Sequence, residues 1–376
     1  MQPVYAIATN TVSAMGMDTA SHWHDVIAGK TGIKRYEDIA LSNTPFMASK
    51  PDAAQWQAIQ TQIAKKARLS PFEQLATFSA TKALAELPDE IDLSQTILIL
   101  ATTKGNIELL GKVPDEELLL YHSAKAISQQ LAIATNPIVI SQACVSGVVA
   151  LQYGMRLLQA GRYKHAIVCG CDRLSRFVLS GFQSFQAISD EPCRPFDAAR
   201  KGINLGEAAA TIILSVNRTD NAAGHLMSGA TSNDANHISG PSRTGEELAA
   251  AISSAIKEAG ITPAHIDMIS AHGTATIYND EMEAKAFEVA NILHAPLHSF
   301  KGYVGHTLGA AGVLESVMVL ESLRHQLLIP SVNYRTSGVS TAVNVSTAAQ
   351  AAHIQYALKT ASGFGGSNAA IIWKRV

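Results

Sequence analysis

Apolar residues in this chain fall in short blocks divided by polar turns, and the longest block lies near the middle. Over residues 136–162 (N-P-I-V-I-S-Q-A-C-V-S-G-V-V-A-L-Q-Y-G-M-R-L-L-Q-A-G-R) a β-rich run at 138–141 leads through Gln142 and Ala143 into Cys144. A helical pattern then begins at Val145 and stops at Gly161. Its apolar residues (Val145, Val148, Val149, Leu151, Met155, Leu157, Leu158) fall on every side, which predicts a buried helix rather than a surface one. Gly147, Ala150 and Gly154 on that helix would admit close approach of neighbouring backbone.

The same alternation recurs elsewhere. V-Y-A-I-A-T-N predicts a first strand and residues 20–28 a helix. Residues 55–86 read as mostly helical, with Pro71 marking a new helix start. T-I-L-I-L-A (96–101) is a buried strand, T-T-K-G-N turns the chain, and 115–134 is helical again. A strand at 165–171 and a segment at 174–188 follow, then the loop E-P-C-R-P-F-D-A-A-R-K-G and a strand pair around G-E-A-A-A-T-I-I-L-S. Strands alternating with helices predict an α/β layered protein with largely parallel sheets.

A weak internal repeat is superimposed on this pattern. G-E-A-A-A-T-I-I-L closes the first half, and G-S-N-A-A-I-I-W closes the chain. The helix after Cys144 has a counterpart after His306, in L-G-A-A-G-V-L-E-S-V-M-V-L-E-S-L. The join falls in the polar N-R-T-D-N-A-A-G, so the expected division is 1–217 and 218–376. At 376 residues the chain is too long for one typical core, which agrees with two fused halves.

Composition excludes several classes. Hydrophobic residues make up 47% and charged residues 16%, which suits a large core extended by an oligomer interface. A net charge of −2 offers no general field for nucleic acid. No apolar run is long enough to span a bilayer, and M-Q-P-V-Y-A-I-A-T-N has no basic region followed by an apolar core, so no secretion signal is expected. The cysteines, Cys144, Cys169, Cys171 and Cys193, have neither metal-finger spacing nor a disulfide framework; a reducing cytoplasm is the expected compartment. Lys65, Lys66 and Arg68 form a small basic cluster, ordinarily a solvated face.

Candidate chemistry gathers at element ends. Cys144 stands where a strand hands over to a helix, beside unpaired N–H groups and a positive dipole end, a setting expected to lower a thiol pKa. Packing is the plain alternative for a buried cysteine. I-D-M-I-S-A (266–271) reads as a strand with His272 projecting from its end, and Asp280 and Glu283 begin a helix downstream. Lys301 and His306 stand around the entry to the second buried helix, and Ser362-Gly363-Phe364-Gly365-Gly366-Ser367-Asn368 is a glycine-dense turn.

In order, these segments resemble the β-ketoacyl-acyl-carrier-protein synthases, the elongating type I/II branch of the condensing enzymes. The resemblance rests on Q-A-C-V-S-G at Cys144, C-R-P-F-D-A-A-R-K-G-I-N-L-G-E, S-N-D-A-N-H-I-S-G-P, H-G-T-A-T at His272, K-G-Y-V-G-H-T-L-G-A-A-G from Lys301, and G-F-G-G-S-N from Gly363. It covers nearly the whole chain. It implies an α/β thiolase-like fold, five-layered α-β-α-β-α, built from two pseudo-repeated halves. It further implies an acyltransferase in fatty-acid or polyketide-type lipid synthesis, in which Cys144 accepts an acyl chain from acyl carrier protein. His272 and His306 then stabilise the enolate formed from malonyl-carrier protein as carbon dioxide leaves. By the same resemblance Lys301 pairs with Glu283, Thr274 and Thr276 hydrogen-bond the phosphopantetheine arm, and Phe364 gates the acyl pocket. Backbone N–H groups of Cys144 and Phe364 would form the oxyanion hole. No metal or separate cofactor is implied. The implied partners are acyl carrier protein, for which the basic cluster is a candidate dock, and a second subunit paired through 138–141, identical or a ketosynthase-like relative.

Some positions depart from the pattern. Val145 replaces a small hydroxyl residue, A-I-A-T-N lacks a glycine-rich first turn, T-T-K-G-N-I-E-L-L departs from the loop lining the acyl pocket, and little lies between 37 and 64. These point to a specialised pathway, such as a polyene pigment. Two alternatives stand beside this reading: a coenzyme A-dependent thiolase relative, disfavoured by the lack of a second catalytic cysteine, and a chain-length-gating subunit, disfavoured by Cys144.

Overall fold

The computed structural model describes residues 2–63, 68–235 and 240–376. Lys65 and Lys66 of the basic cluster lie outside them; Arg68 is described and exposed. Ten strands make one sheet. From the first half come β1 (Tyr5–Val12), β2 (Thr96–Ala101), β3 (Ile138–Ile140), β4 (His165–Asp172) and β5 (Ala208–Ser215). From the second come β6 (Gly224–Asn233), β7 (Met268–Ser270), β8 (Leu297–His298), β9 (Tyr356–Gly363) and β10 (Ser367–Lys374).

The spatial order is β8-β7-β9-β10-β6-β1-β5-β4-β2-β3. Counted outward from the β6–β1 contact, both halves run in the same order, first strand, last strand, fourth, second, third. The sheet is mixed rather than largely parallel. Pairs β2–β3, β2–β4, β7–β8 and β7–β9 are parallel, while β5 and β10 run antiparallel to both their neighbours. The reason is local for β10: only Phe364, Gly365 and Gly366 separate it from β9, too few for a parallel crossover.

Helices complete five layers. Helix α1 (Pro71–Ala85) starts where Pro71 predicts, with Ser70 and Glu73 forming a capping box. With the Leu120–Gln130 helix it covers the outer face of the first half-sheet. Helices α2 (Ser146–Gln159) and α6 (Ala311–His325) fill the middle. Helix α3 (Arg176–Ser184) borders the site described below, and α4 (Glu246–Glu258) and α5 (Ile277–Val289) cover the second half-sheet. Strand residues alternate between layers as the pleat requires: Ile97, Ile99 and Ala101 enter the central core, Leu98 and Leu100 an outer one.

The two middle helices meet at glycines. A Cβ on Gly147 would lie 2.7 Å from the Val313 nitrogen, and one on Gly312 would lie 2.4 Å from the Val148 nitrogen. The sequence reading of Gly147 as a close-approach point is therefore correct, and its partner is the equivalent helix of the other half. The expectation that α2 is buried on every side is not. Residues 311–323 of α6 are all buried, whereas Val149 and Leu157 of α2 are half-buried and Tyr153 is exposed. That face adjoins β3, an edge strand whose three side chains are half-buried.

Because backbone, not a movable side chain, blocks the space beside Gly147, Gly147→Ala is expected to cost about 1–3 kcal/mol of stability. Urea unfolding measures this; an unchanged midpoint would contradict the helix crossing described.

Candidate active site

Cys144 is set by a strained turn and a short polar brace. Ala143 has φ 45, a left-handed conformation rare for a residue with a Cβ. Ser146 Oγ accepts from the Gln142 N–H at 2.8 Å and donates to the Ala143 carbonyl at 2.6 Å, locking the turn against the first residue of α2. The Cys144 thiol is buried, and the backbone N–H groups of Phe364 and Cys144 itself both bear on it.

His272 follows β7 in the H-G-T-A-T loop. Gly273 and Ala275 take positive φ (44 and 61), and two buried carboxylates from α5 hold the loop by its amides. Glu283 accepts from the His272 N–H (2.8 Å) and the Gly273 N–H (2.6 Å). Asp280 accepts from the Thr274 N–H (3.0 Å), the Ala275 N–H (3.2 Å) and the Phe196 N–H (2.7 Å). These acids face a loop, not only their own helix end.

Lys301 is fully buried. Its ammonium donates to Glu315 Oε1 (2.8 Å), to the His272 carbonyl (2.6 Å) and to His272 Nδ1 (3.2 Å). The expected Lys301–Glu283 pair is therefore corrected: the carboxylate in contact with Lys301 is Glu315 on α6, because Glu283 is taken by the loop amides. An ammonium can only donate, so His272 Nδ1 accepts and the ring proton sits on Nε2.

His306 follows Gly305 (φ 66) and is anchored by backbone: its N–H donates to the Asn204 carbonyl (2.7 Å) and its carbonyl accepts from the Gly206 N–H (2.9 Å). Among the described residues neither ring nitrogen has a hydrogen-bond partner. The two imidazoles meet edge to face, centroids 5.3 Å apart. Cys144 Sγ and one ring nitrogen from each lie within 4.8 Å of one another. Such a trio could in principle hold a metal ion. The Lys301 ammonium beside His272 opposes a cation there and keeps the proton on the nitrogen a metal would need.

Burial sets the protonation states. His272 and His306 are held well below the ordinary histidine value, first by burial and then by Lys301, so both are neutral near pH 7. Cys144 runs against expectation. Burial pushes its thiol up to about 11, outweighing the lowering by Lys301 and by the Phe364 N–H. The resting group is thus a thiol, and its nucleophilic form requires proton removal.

The trio opens into a cavity of about 470 Å³, also lined by Phe182, Thr274, Thr276 and Phe364. Thr274 and Thr276 share a hydroxyl hydrogen bond of 2.8 Å. The Phe364 ring packs against Phe182 and Phe185 at 5.7 and 5.3 Å and is partly exposed. Gly366 beside it is obligatory, since a Cβ there would lie 1.9 Å from the Asp234 carbonyl oxygen.

Residue matches follow this geometry. Residues 1–219 match the beta-ketoacyl synthase N-terminal domain family, and 223–335 match its C-terminal domain family. The chain belongs to the beta-ketoacyl synthase family. It is therefore an acyltransferase of the condensing type. Along its full length this synthase is 27% identical to 99% of 3-oxoacyl-[acyl-carrier-protein] synthase 2 of Rhizobium meliloti. A beta-ketoacyl synthase from Burkholderia phymatum superposes over all of both chains with a TM-score of 0.90 at 23% identity. A ketosynthase solved in complex with its chain length factor, from Xenorhabdus doucetiae, superposes over all of this chain and 98% of that one, with a TM-score of 0.86 at 25% identity. The thiolase-like fold expected from the sequence is thus shown.

Three site residues escaped sequence reasoning. Glu315 is one of two carboxylates, with Glu321, in an otherwise largely apolar helical run, a signal that could have been read. Asp172 follows Cys171 at the end of β4; it accepts from Thr102 Oγ1 (2.8 Å), the Thr103 N–H (2.9 Å) and the Gly309 N–H (2.7 Å), tying the T-T-K-G-N turn to the loop after His306. Lys359 on β9 is buried with its ammonium on Glu315 Oε2 at 2.6 Å.

With a thiol pKa near 11, Cys144 alkylation by iodoacetamide should rise roughly tenfold per pH unit from 7 to 9, following the thiolate fraction. A rate that levels off below pH 8 would contradict a burial-dominated thiol.

Proposed function

We propose that Cys144 takes the acyl chain from an acyl carrier protein and that His272 and His306 drive decarboxylation of the malonyl-carrier protein that extends it. The observation that carries this reading is the closeness of one thiol and two neutral imidazoles in a single buried pocket. The Cys144 proton is taken up as sulfur attacks the thioester and passes to the departing carrier thiolate. The N–H groups of Cys144 and Phe364 hold the tetrahedral oxyanion; one such donor is typically worth roughly 3–4 kcal/mol of barrier.

In the second half-reaction the imidazoles donate to the malonyl thioester oxygen. His272 donates from Nε2, the nitrogen Lys301 leaves protonated. Carbon dioxide departs, the enolate carbon attacks the acyl-Cys144 carbonyl, and the expelled Cys144 thiolate takes one proton from solvent in the cavity to return to the thiol. Neutral donors suit an enolate because they stabilise it without themselves losing charge. Thr274 and Thr276 bind the pantetheine arm along the cavity wall, and Phe364 gates the passage to the acyl pocket. Glu283 acts on His272 through the loop it holds. The chain needs no cofactor beyond the carrier's own arm.

We also propose that the halves divide near Asn217 and that a second subunit, a copy of this chain or a ketosynthase-like relative, covers β3 and the Tyr153 face of α2. The Xenorhabdus ketosynthase is in complex with its chain length factor. The departures around T-T-K-G-N support an acyl pocket for specialised, polyene-type chains, and acyl-carrier loading with saturated and polyunsaturated chains tests this; equal use of saturated chains would count against it.

After incubation with acyl-carrier protein, the intact mass should rise by one acyl group, and Cys144→Ala should abolish both the adduct and condensation. An unchanged condensation rate in Cys144→Ala would remove the nucleophile assignment. His272→Ala and His306→Ala should each lower malonyl-carrier decarboxylation by about a hundredfold or more while leaving acyl loading measurable. Loss of loading alone, with decarboxylation intact, would reverse the assigned roles.

A further inference from the structure

A row of polar side chains lies beneath the histidines in layers that are otherwise apolar. In parallel register, Ser270 on β7 stands opposite His298 on β8 on one side and Lys359 on β9 on the other. Laterally paired residues share a face of the sheet. All three are buried, and Ser270 Oγ and His298 Nε2 have no partner among the described residues. Lys359 reaches past them. Its ammonium contacts Glu315 Oε2 and donates to the carbonyls of Ser270 (3.1 Å), Ala271 (3.4 Å) and Thr360, the first two being the residues that lead into His272. Thr360 Oγ1 donates in turn to Glu283 Oε1 at 3.1 Å, the same oxygen that accepts from the His272 N–H.

Glu315 therefore lies between two ammoniums, one on each carboxylate oxygen. Lys359 adds a second ammonium to the Lys301–Glu315 pair, and the buried Glu283 carboxylate lies beside the same cluster. A lysine buried on one carboxylate and three carbonyls, with Glu283 nearby, is costly to keep, which argues for a task beyond packing.

We propose that Lys359 is a positioning residue for the condensation: its ammonium shares Glu315 with Lys301, fixes the backbone leading into His272, and adds a second cation to the one Lys301 sets beneath the imidazoles. The inference rests on the roles proposed above for His272 and His306. The charged and titratable groups facing His272 are Lys301, Lys359, Glu283, His306 and Cys144; those facing His306 are Lys301, Lys359, His272 and Cys144. Glu315 faces the pair through the two lysines. Removing the Lys359 charge lets the imidazoles protonate at a higher pH, because one of the two cations opposing it is gone. Direction follows directly: activity that needs neutral imidazoles is lost earlier as the pH falls.

The test is the pH profile of malonyl-carrier decarboxylation by full-length Lys359→Met, an unbranched apolar side chain that leaves Lys301 and Glu315 as a neutral pair. The expected result is an acidic limb displaced upward by about half a pH unit or more, and kcat lowered about tenfold with KM within about twofold of the parent. Lys359→Gln, which retains N–H donors for the carbonyls but no charge, should show the same displaced limb with a smaller loss of kcat, and it replaces the methionine variant if that fails to fold. A parent-like profile in either folded variant overturns the proposal. His306→Ala in parallel separates the two readings: if it decarboxylates normally, the histidine roles fail; if it is inactive and the Lys359 variants are parent-like, only the role of Lys359 fails.

Discussion

The active site depends on a charge kept where water cannot reach it. Taking the Lys301 ammonium and the Glu315 carboxylate out of water costs several kcal/mol each, and only close pairing with further hydrogen bonds offsets this. Here the pair is 2.8 Å apart, the ammonium also donates to the His272 carbonyl and ring, and the carboxylate is held below its usual range by its two lysines despite burial. What the arrangement yields is a histidine with one orientation and one tautomer. His306, whose ring nitrogens have no hydrogen-bond partner among the described residues, is left with both available to whatever enters the cavity.

The site is complete only when the two halves close on each other. Cys144 comes from the first half, whereas His272, Lys301, His306 and Glu315 come from the second. The crossing of α2 and α6 at Gly147 and Gly312 brings the base of the helix that follows Cys144 against the helix that carries Glu315. Asp172 makes a second tie, from β4 to the loop that follows His306. Repetition of one strand order in both halves places the two central helices in equivalent positions, so Cys144 and His306 converge from the entries to matching helices.

Much of this was legible in the chain. Strand and helix positions followed from apolar periodicity, and the strand at Thr96–Ala101 and the helix start at Pro71 were placed to the residue. Cys144, His272, Lys301 and His306 were visible as reactive side chains at element ends, and all four meet. What was not legible is what depends on distant pairing. The antiparallel course of β5 and β10 is a matter of connection geometry, not of local composition. Glu283 was expected as the partner of Lys301 from the family resemblance, but the loop amides of His272 and Gly273 claim its carboxylate. The thiol was expected to be acidic because the helix end is local and readable, whereas the desolvation that overrides it comes from residues far apart in sequence. Lys359 sits in a strand where a lone lysine reads as an exposed side chain. Nothing local marks it as buried.

The most direct measurement of this account is the ¹⁵N chemical shifts of selectively labelled His272 and His306 near neutral pH, assigned through single substitutions. The account predicts two neutral rings, with His272 protonated on Nε2 and its Nδ1 accepting from Lys301. An imidazolium at either position, or a proton on His272 Nδ1, would contradict it.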